Sequence, residues 1–493
     1  MIKTHIKNRT EKIIINDFSK TNLQNKKLQS AIEGVQIYNF KNCNGVLEKG
    51  MGIDNFTTYA ENDLNSFHYP LTYNHLGLEY INKVMHFKQY FSASGDTTHR
   101  LLIHGSDNKL YLFEMFSNLD RPNWVYNLQF DTIPAVLEYK KEGLDSILIS
   151  STDKLVVWST GRTPYEITNI PTITSMCVYN DVLYCTIAGE TDKIWYTLSL
   201  DPETVGVESD ETKYLIMEGS AGGGRKIVML RENMYVFCDY GIGKLNTYVK
   251  DKEATYNQIY LTDSQICPNT VIVCGDFVIF LTRDGLYKFN GTSVTKVDAL
   301  QNQLEGSFND YAVATHLQNY YYLATRLKFS KDELVGCECS NSDMKNNALI
   351  KLNLHDNSFE IIRGVDIKDM LALKAGIEEK IVLTFNTYHQ NIIGEINDSG
   401  YCFDLPINKS YQTNDIIQKD MERITIRKVK FDSSKAVSVI IFTDEDSYTF
   451  NATREGVNEF KTIIACKKFN IKICANIADA YVNLVEIEYV RQD

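Results

Sequence analysis

Residues Leu281 to Val297 read LTRDGLYKFNGTSVTKV. Asp284-Gly285 separates two runs in which apolar residues alternate with others, and a second turn signal, Asn290-Gly291, follows. Period-two alternation marks a half-buried strand, and Asp-Gly and Asn-Gly are the dipeptides that fold one strand back on the next. The stretch therefore reads as a hairpin with a further turn behind it. Whether it is a single hairpin or one copy of a repeated unit decides the fold.

The pattern recurs. A turn residue, a variable residue, Leu or Ile, two more residues and a bulky one appear at NKLYLF from Asn108, DKLVVW from Asp153, DKIWYT from Asp192, GKLNTY from Gly243, DGLYKF from Asp284, NALIKL from Asn347 and NIIGEI from Asn391. Only the third copy ends weakly, at Thr197. The separations average about 47 residues, close to the length of a four-stranded propeller blade. Each copy follows another strand-like run: LLIHG, SILIS, VLYCTI, MYVFC, FVIFL, YYYLAT and KIVLTF. The expectation is an all-β chain with a β-propeller of about seven blades over residues 85–404. A solenoid or a pair of sandwiches using the same hairpins is the competing arrangement. The long fifth interval contains the polar stretch Lys328 to Asn346, which reads as an insertion protruding from one face and as a candidate contact or gate.

The two ends differ. Residues 1–84 hold no copy of the unit, and Gly45, Gly50 and Gly52 punctuate VQIYNFKNCNGVLEKGMGIDNF, so this part reads as an extended arm that packs on a neighbouring domain or subunit. Residues 405–493 carry strong alternating strands without the blade spacing, including ITIRKVKF, VSVIIFT, FNIKICANI and VNLVEIEYV, which predict a β-sandwich. Its last strand runs almost to the C-terminus, so truncation there is expected to damage folding or assembly.

Composition agrees with a strand-rich folded protein: 493 residues, 30 Tyr and 23 Phe against 8 Pro. The first twenty residues lack the apolar core and cleavage site of a secretory signal, and no run of apolar residues is long enough to span a membrane as a helix, so synthesis in a cytoplasm is expected. The net charge of −12 argues against a protein that binds nucleic acid through a basic face, while an acidic wall suits one past which DNA slides. Eleven scattered Cys, most of them in apolar runs, predict reduced thiols; the close pair Cys337 and Cys339 has no regular partners for zinc.

No catalytic constellation emerges. EGSAGGGRK places Gly219 and Gly224 at P-loop spacing, but Arg225 stands where Lys is needed and Lys226 where a hydroxyl should meet magnesium, so the run reads as an inter-blade loop. STDKLVVW resembles the Asp box of sialidase-type propellers at Ser151, Asp153 and Trp158, with Leu155 in place of its Gly; such a turn supports fold, not glycosidase chemistry. His99, His104, His316 and His355 show no metal spacing, no nucleophile elbow is present, and Asp444 with Asp446 reads as a solvated turn. No catalytic residue, cofactor or metal ligand is assigned.

DGLYKFNGTSVTKV, DKLVVWSTGRTPYEI, NGVLEKGMGIDNF and KKFNIKICANIADAYVNLVEIEYV, in their order along the chain, resemble the nozzle or tail-hub β-propeller proteins of short-tailed bacteriophages. The resemblance covers most of the chain by pattern. It implies a virion structural protein of the tail: a ring, expected to be homo-hexameric, that meets the portal, adaptor and other tail proteins and continues the channel that retains and then releases genomic DNA. A tail adhesin that recognises receptor or glycan, with the Tyr320, Tyr321, Tyr322 run stacking on sugars, is the alternative, followed by a polysaccharide-degrading enzyme.

Overall fold

Blade 5, which holds the opening stretch, shows how a repeat is built. Ile272–Cys274, Phe277–Thr282, Gly285–Phe289 and Val294–Val297 pair antiparallel in chain order. The tight turn is Arg283-Asp284, one residue upstream of the Asp-Gly pair, because Gly285 is already paired with Thr282. The Asp284 carboxylate fastens the blade, accepting hydrogen bonds from Thr282 Oγ1 (2.5 Å), Tyr287 Oη (2.9 Å) and Lys296 Nζ (2.9 Å). Alternation in the second strand serves two interfaces at once: Val278 and Phe280 pack towards blade 4, Ile279 and Leu281 towards blade 6.

The computed structural model describes residues 10–18, 34–58, 69–70, 78–114, 123–198, 202–206, 208, 210–247, 253–297, 304, 310–328, 344–375, 378–386, 393–403, 405–417 and 423–491. Most of the Lys328 to Asn346 insertion, with Cys337 and Cys339, lies outside them. Among the described residues there is no α-helix, and no helix is long and apolar enough to cross a membrane.

The fold is a β-propeller of seven blades joined to a β-sandwich. All seven sequence copies become the third strand of a blade: Lys109–Glu114, Lys154–Ser159, Lys193–Thr197, Gly241–Asn246, Gly285–Phe289, Ala348–Asn353 and Ile393–Asn397. That strand has neighbours on both edges and apolar cover on both faces, which is why its pattern is the sharpest in the sequence. Blade 1 begins at Ile81, inside the stretch assigned to the arm. Each pair of neighbouring blades shares its own buried apolar cluster. One of these joins the last blade to the first, setting Leu373, Ala375 and Val382 against Ile81, Val84, Leu101 and Ile103. The blades therefore close into a wheel, and the solenoid arrangement is excluded.

The N-terminal arm is laid strand by strand into both domains. Gly52–Asn55 forms the fourth strand of blade 7, pairing Ile53 with Ile396, so the wheel is closed by residues from its two chain ends. Thr10–Ile15 and Val46–Lys49 pair with the terminal strand Val482–Arg491, and Gly34–Tyr38 pairs with Lys409–Thr413. Asn44-Gly45 makes the hairpin between Phe40–Cys43 and Val46–Lys49, with φ of 52° and 86° as a type I′ turn requires. In the sandwich, Ile424–Ser433 lies between Gly456–Cys466 and Val482–Arg491 in one sheet, and Lys468–Ala475 between Val437–Thr443 and Lys409–Thr413 in the other. Ile426, Val429 and Phe431 face Val439, Ile471 and Ile473 in a core that also buries Phe18, Phe40 and Leu47 of the arm.

Asn39 ties the domains together. Its N–H donates to Ile361 O (2.7 Å), its Nδ2 to Asn408 O (2.6 Å), and its Oδ1 accepts the Arg363 N–H (3.0 Å). A left-handed φ of 61°, which Asn tolerates, lets backbone and side chain serve both sides.

Candidate functional site

The first strands of the blades surround the axis of the wheel. Neighbouring first strands do not pair, so their edge N–H groups need other acceptors. Side chains of the preceding blade supply them: Ser150 Oγ accepts from Ile173 N (3.3 Å), Ser175 Oγ from Ile227 N (3.1 Å), Thr315 Oγ1 from Ala372 N (3.2 Å) and Asp369 Oδ2 from Val84 N (3.0 Å).

Four of these strands share a second feature. In blades 1, 3, 4 and 7 the pairing slips by one residue at the start of the strand, at Asn82, Thr174, Arg225 and Lys368. A bulge re-aims the side chains beside it. The equivalent residues just past the slip are Lys83, Ser175, Lys226 and Asp369.

Lys83, Lys226, Lys368, Asp369, Glu138 and His86 all line one axial cavity of about 480 Å³. Lys83 Nζ donates to Pro134 O (2.9 Å), and Lys368 Nζ lies 4.0 Å from the centre of the Tyr80 ring. Among the described residues none of the three lysines forms an ion pair. Lys226 is half-buried by accessible surface, yet its ammonium sits enclosed in the cavity; burial, followed by the charge of Lys83, pushes it down to about 8. Burial likewise lowers Lys368, opposed by Asp369 and Asp366. Burial raises the Asp369 carboxyl against the pull of Lys83 and its backbone hydrogen bonds. Glu138 is pushed up to about 7 by enclosure and then by Asp145, although its side chain is exposed and solvent screening discounts part of that effect. His86 Nε2 meets His99 Nδ1 at 2.9 Å, and burial with the His99 and Lys88 charges brings it down to about 4, so the ring is neutral at pH 7. The cavity thus gathers three lysines, two acids and a neutral imidazole on one wall.

A different surface lies on the sandwich. Gly456–Cys466 is an edge strand of 11 residues, paired among the described residues with Ile424–Ser433 alone. Ile463 and Val457 on it are 74% and 42% exposed. Beside it, a ladder of charges crosses the outer face of the sheet: Lys12 to Glu486 (2.7 Å), Lys428 to Glu488 (3.3 Å) and Lys428 to Glu459 (3.8 Å).

The residues weighed in the sequence do not converge. Gly219 and Gly224 bracket the link between blades 3 and 4, which Asp239 pins by accepting from Gly223 N (3.0 Å) and Arg225 Nε (2.8 Å). Ser151 bonds Thr132 Oγ1 (3.0 Å), Asp153 takes a left-handed φ of 56° in its hairpin, and Trp158 packs on Phe87 between blades 1 and 2. His104 bonds Phe130 O (3.2 Å), and His316 and His355 lie apart from it on blade 6. Among the described residues no group of His, Cys, Asp and Glu has metal-holding geometry. Asp444 accepts the Lys467 N–H (3.1 Å) in an exposed turn with Asp446. Tyr321 and Tyr322 are buried in opposite blade interfaces, leaving Tyr320 half-exposed with Lys351 Nζ 4.5 Å over its ring.

The channel residues escaped the sequence reading because the repeat was anchored on second and third strands. The signal was present one strand upstream, where Lys83, Lys226 and Asp369 recur at one blade position. Lys226 was weighed only as a misfit in a phosphate loop.

No family model and no curated protein matches the chain. Among solved structures it is similar to BBS1N in a complex with ARL6DN, at 11% identity over 65% of this chain and 92% of that one, with a TM-score of 0.41. It is similar also to two structures of Hsv2 from Kluyveromyces lactis. One, with complete loop 6CD, is 10% identical over 54% of this chain and 82% of that one, with a TM-score of 0.33. The other is 10% identical over 65% and 94%, with a TM-score of 0.34. The seven-blade assignment rests on the strand pairing of this chain itself.

Proposed function

We propose that the chain is a structural subunit of a bacteriophage virion, forming a homo-hexameric ring in the tail that contacts portal, adaptor and other tail proteins and continues the DNA channel. The observation that carries this reading is the long edge strand Gly456–Cys466 with Ile463 exposed: such an edge invites pairing with another chain, and here it belongs to a body that the arm stitches into one piece. The order of arm, seven-bladed wheel and sandwich supports it, as does the net charge of −12, which suits a wall that repels phosphate. Duplex DNA passes through the centre of the ring of subunits in this scheme, because the axial cavity of one wheel, about 480 Å³, has the size of a small-ligand site.

The test is the mass of the purified protein by light scattering, with negative-stain images of the assemblies formed alone and with other tail proteins. Rings with a central channel are expected, and Ile463→Asp is expected to leave folded monomers. A receptor- or glycan-binding role draws on the cavity of about 620 Å³ at the domain junction, walled by Tyr320, Asn42, Asn353 and Asn357. A persistent monomer that binds host cells saturably overturns the ring in its favour.

A further inference from the structure

We propose that the axial cavity of the propeller binds a small, multiply charged oxyanion of the phosphate class between Lys83, Lys226 and Lys368. The inference is independent of the ring.

Lys83, Lys226 and Lys368 come from blades 1, 4 and 7 and line the same void, so their convergence is a property of the closed wheel. Lys83 and Lys226 repel each other across it, and Lys226 has no ion-pair partner among the described residues. Clustering desolvated ammoniums costs stability unless a counter-charge joins them. Asp369 is the nearest internal counter-charge, but its carboxylate is occupied by the Val84 N–H (3.0 Å) and lies under the influence of both Lys83 and Lys368. Its single charge cannot balance both of those lysines, and the charged groups acting on Lys226 include no carboxylate. Glu138, the other acid on the wall, is exposed, and His86 is neutral at pH 7.

The geometry selects the ligand. A monocarboxylate neutralises one ammonium, whereas a tetrahedral dianion presents acceptors in several directions and reaches lysines approaching from different blades. Lys83 and Lys226 stand just past the bulges of blades 1 and 4, Lys368 is the bulged residue of blade 7, and all three line the cavity. The volume of about 480 Å³ admits phosphate or pyrophosphate with water and excludes a nucleic-acid duplex.

The full-length protein is titrated at pH 7 with inorganic phosphate and with pyrophosphate, by calorimetry, thermal melting and 31P NMR line width, against sodium chloride at matched ionic strength. Saturable binding with one site per chain and a rise in melting temperature beyond the chloride control are expected. Lys226→Met is expected to melt, without ligand, at or above the wild-type temperature, because it removes a desolvated charge, and to weaken phosphate binding by about tenfold or more. Lys435→Met, at an exposed position of the sandwich, is expected to bind like wild type. Should Lys226→Met fail to fold, Lys83→Met makes the same test, while the NMR titration of the wild type stands alone. Phosphate effects no larger than those of chloride, or undiminished in the cavity variants, overturn the proposal.

Discussion

Closure of the wheel by the arm makes Ile53→Ala the most informative single substitution. Ile53 is fully buried, pairs with Ile396 in the fourth strand of blade 7, and packs among Met51, Ile367, Leu383 and Phe385. Its carbonyl also accepts the Phe403 N–H (2.9 Å). Truncation removes three carbons, about 2.4 kcal/mol of transfer free energy at about 0.8 kcal/mol each. The cavity left between blades 6 and 7 adds to this, for a total of about 2–5 kcal/mol. Against a typical domain stability of about 5–15 kcal/mol that is a large fraction. The assay is urea unfolding followed by circular dichroism, with limited proteolysis at low urea. Because the strand joins the two chain ends of the propeller, early cleavage near blades 1 and 7 is expected before the other blades open. Ile14→Ala is the control: the residue is 46% exposed on strand Thr10–Ile15, and its loss is expected to change stability by less than about 0.5 kcal/mol. If Ile53→Ala costs no more than Ile14→Ala, the arm does not close the wheel.

Two further expectations follow from particular contacts. The Asp284 carboxyl is raised by burial, but hydrogen bonds from Thr282, Lys296 and Tyr287 outweigh that and hold it at about 2, below its ordinary 3.8. A depressed carboxyl contributes stability above its unfolded value that is lost as pH falls through the folded one, so the stability advantage of wild type over Asp284→Asn should shrink between about pH 4 and pH 2; equal differences at pH 5 and pH 2 would refute this. Deleting residues 484–493 removes Val485, Ile487 and Tyr489 from the sandwich core, together with the partners of both Ile424–Ser433 and Thr10–Ile15. Insoluble protein is expected on expression, and a soluble truncation that still assembles would count against the central place given to that strand.

Much of the architecture is local and therefore legible. Alternation in runs such as FVIFL and the turn dipeptides behind them depend on neighbours two residues apart, so seven hairpins, their spacing and the sandwich strands could be read directly. Turns without Gly, such as Arg231-Glu232 with φ of 48° and 61°, were silent, because the strands on either side impose the left-handed backbone there. The Tyr run shows the same division: alternation sends Tyr321 and Tyr322 to opposite faces, but only the wheel, with a blade on each side, buries both.

The channel was legible only as a recurrence of Lys83, Lys226 and Asp369 at one blade position, which does not show that these positions face one another. Lys83, Lys226 and Lys368 are ordinary charged residues at strand starts in sequence; what unites them is the closing of seven blades about one axis, which brings them to one cavity. The sequence by itself determined that this chain is a set of repeated hairpins followed by a sandwich, since those signals are short-range. Only the tertiary structure decided that Gly52–Asn55 seals the wheel and that like charges meet at its hub, because register and convergence are set by packing between segments remote in the chain.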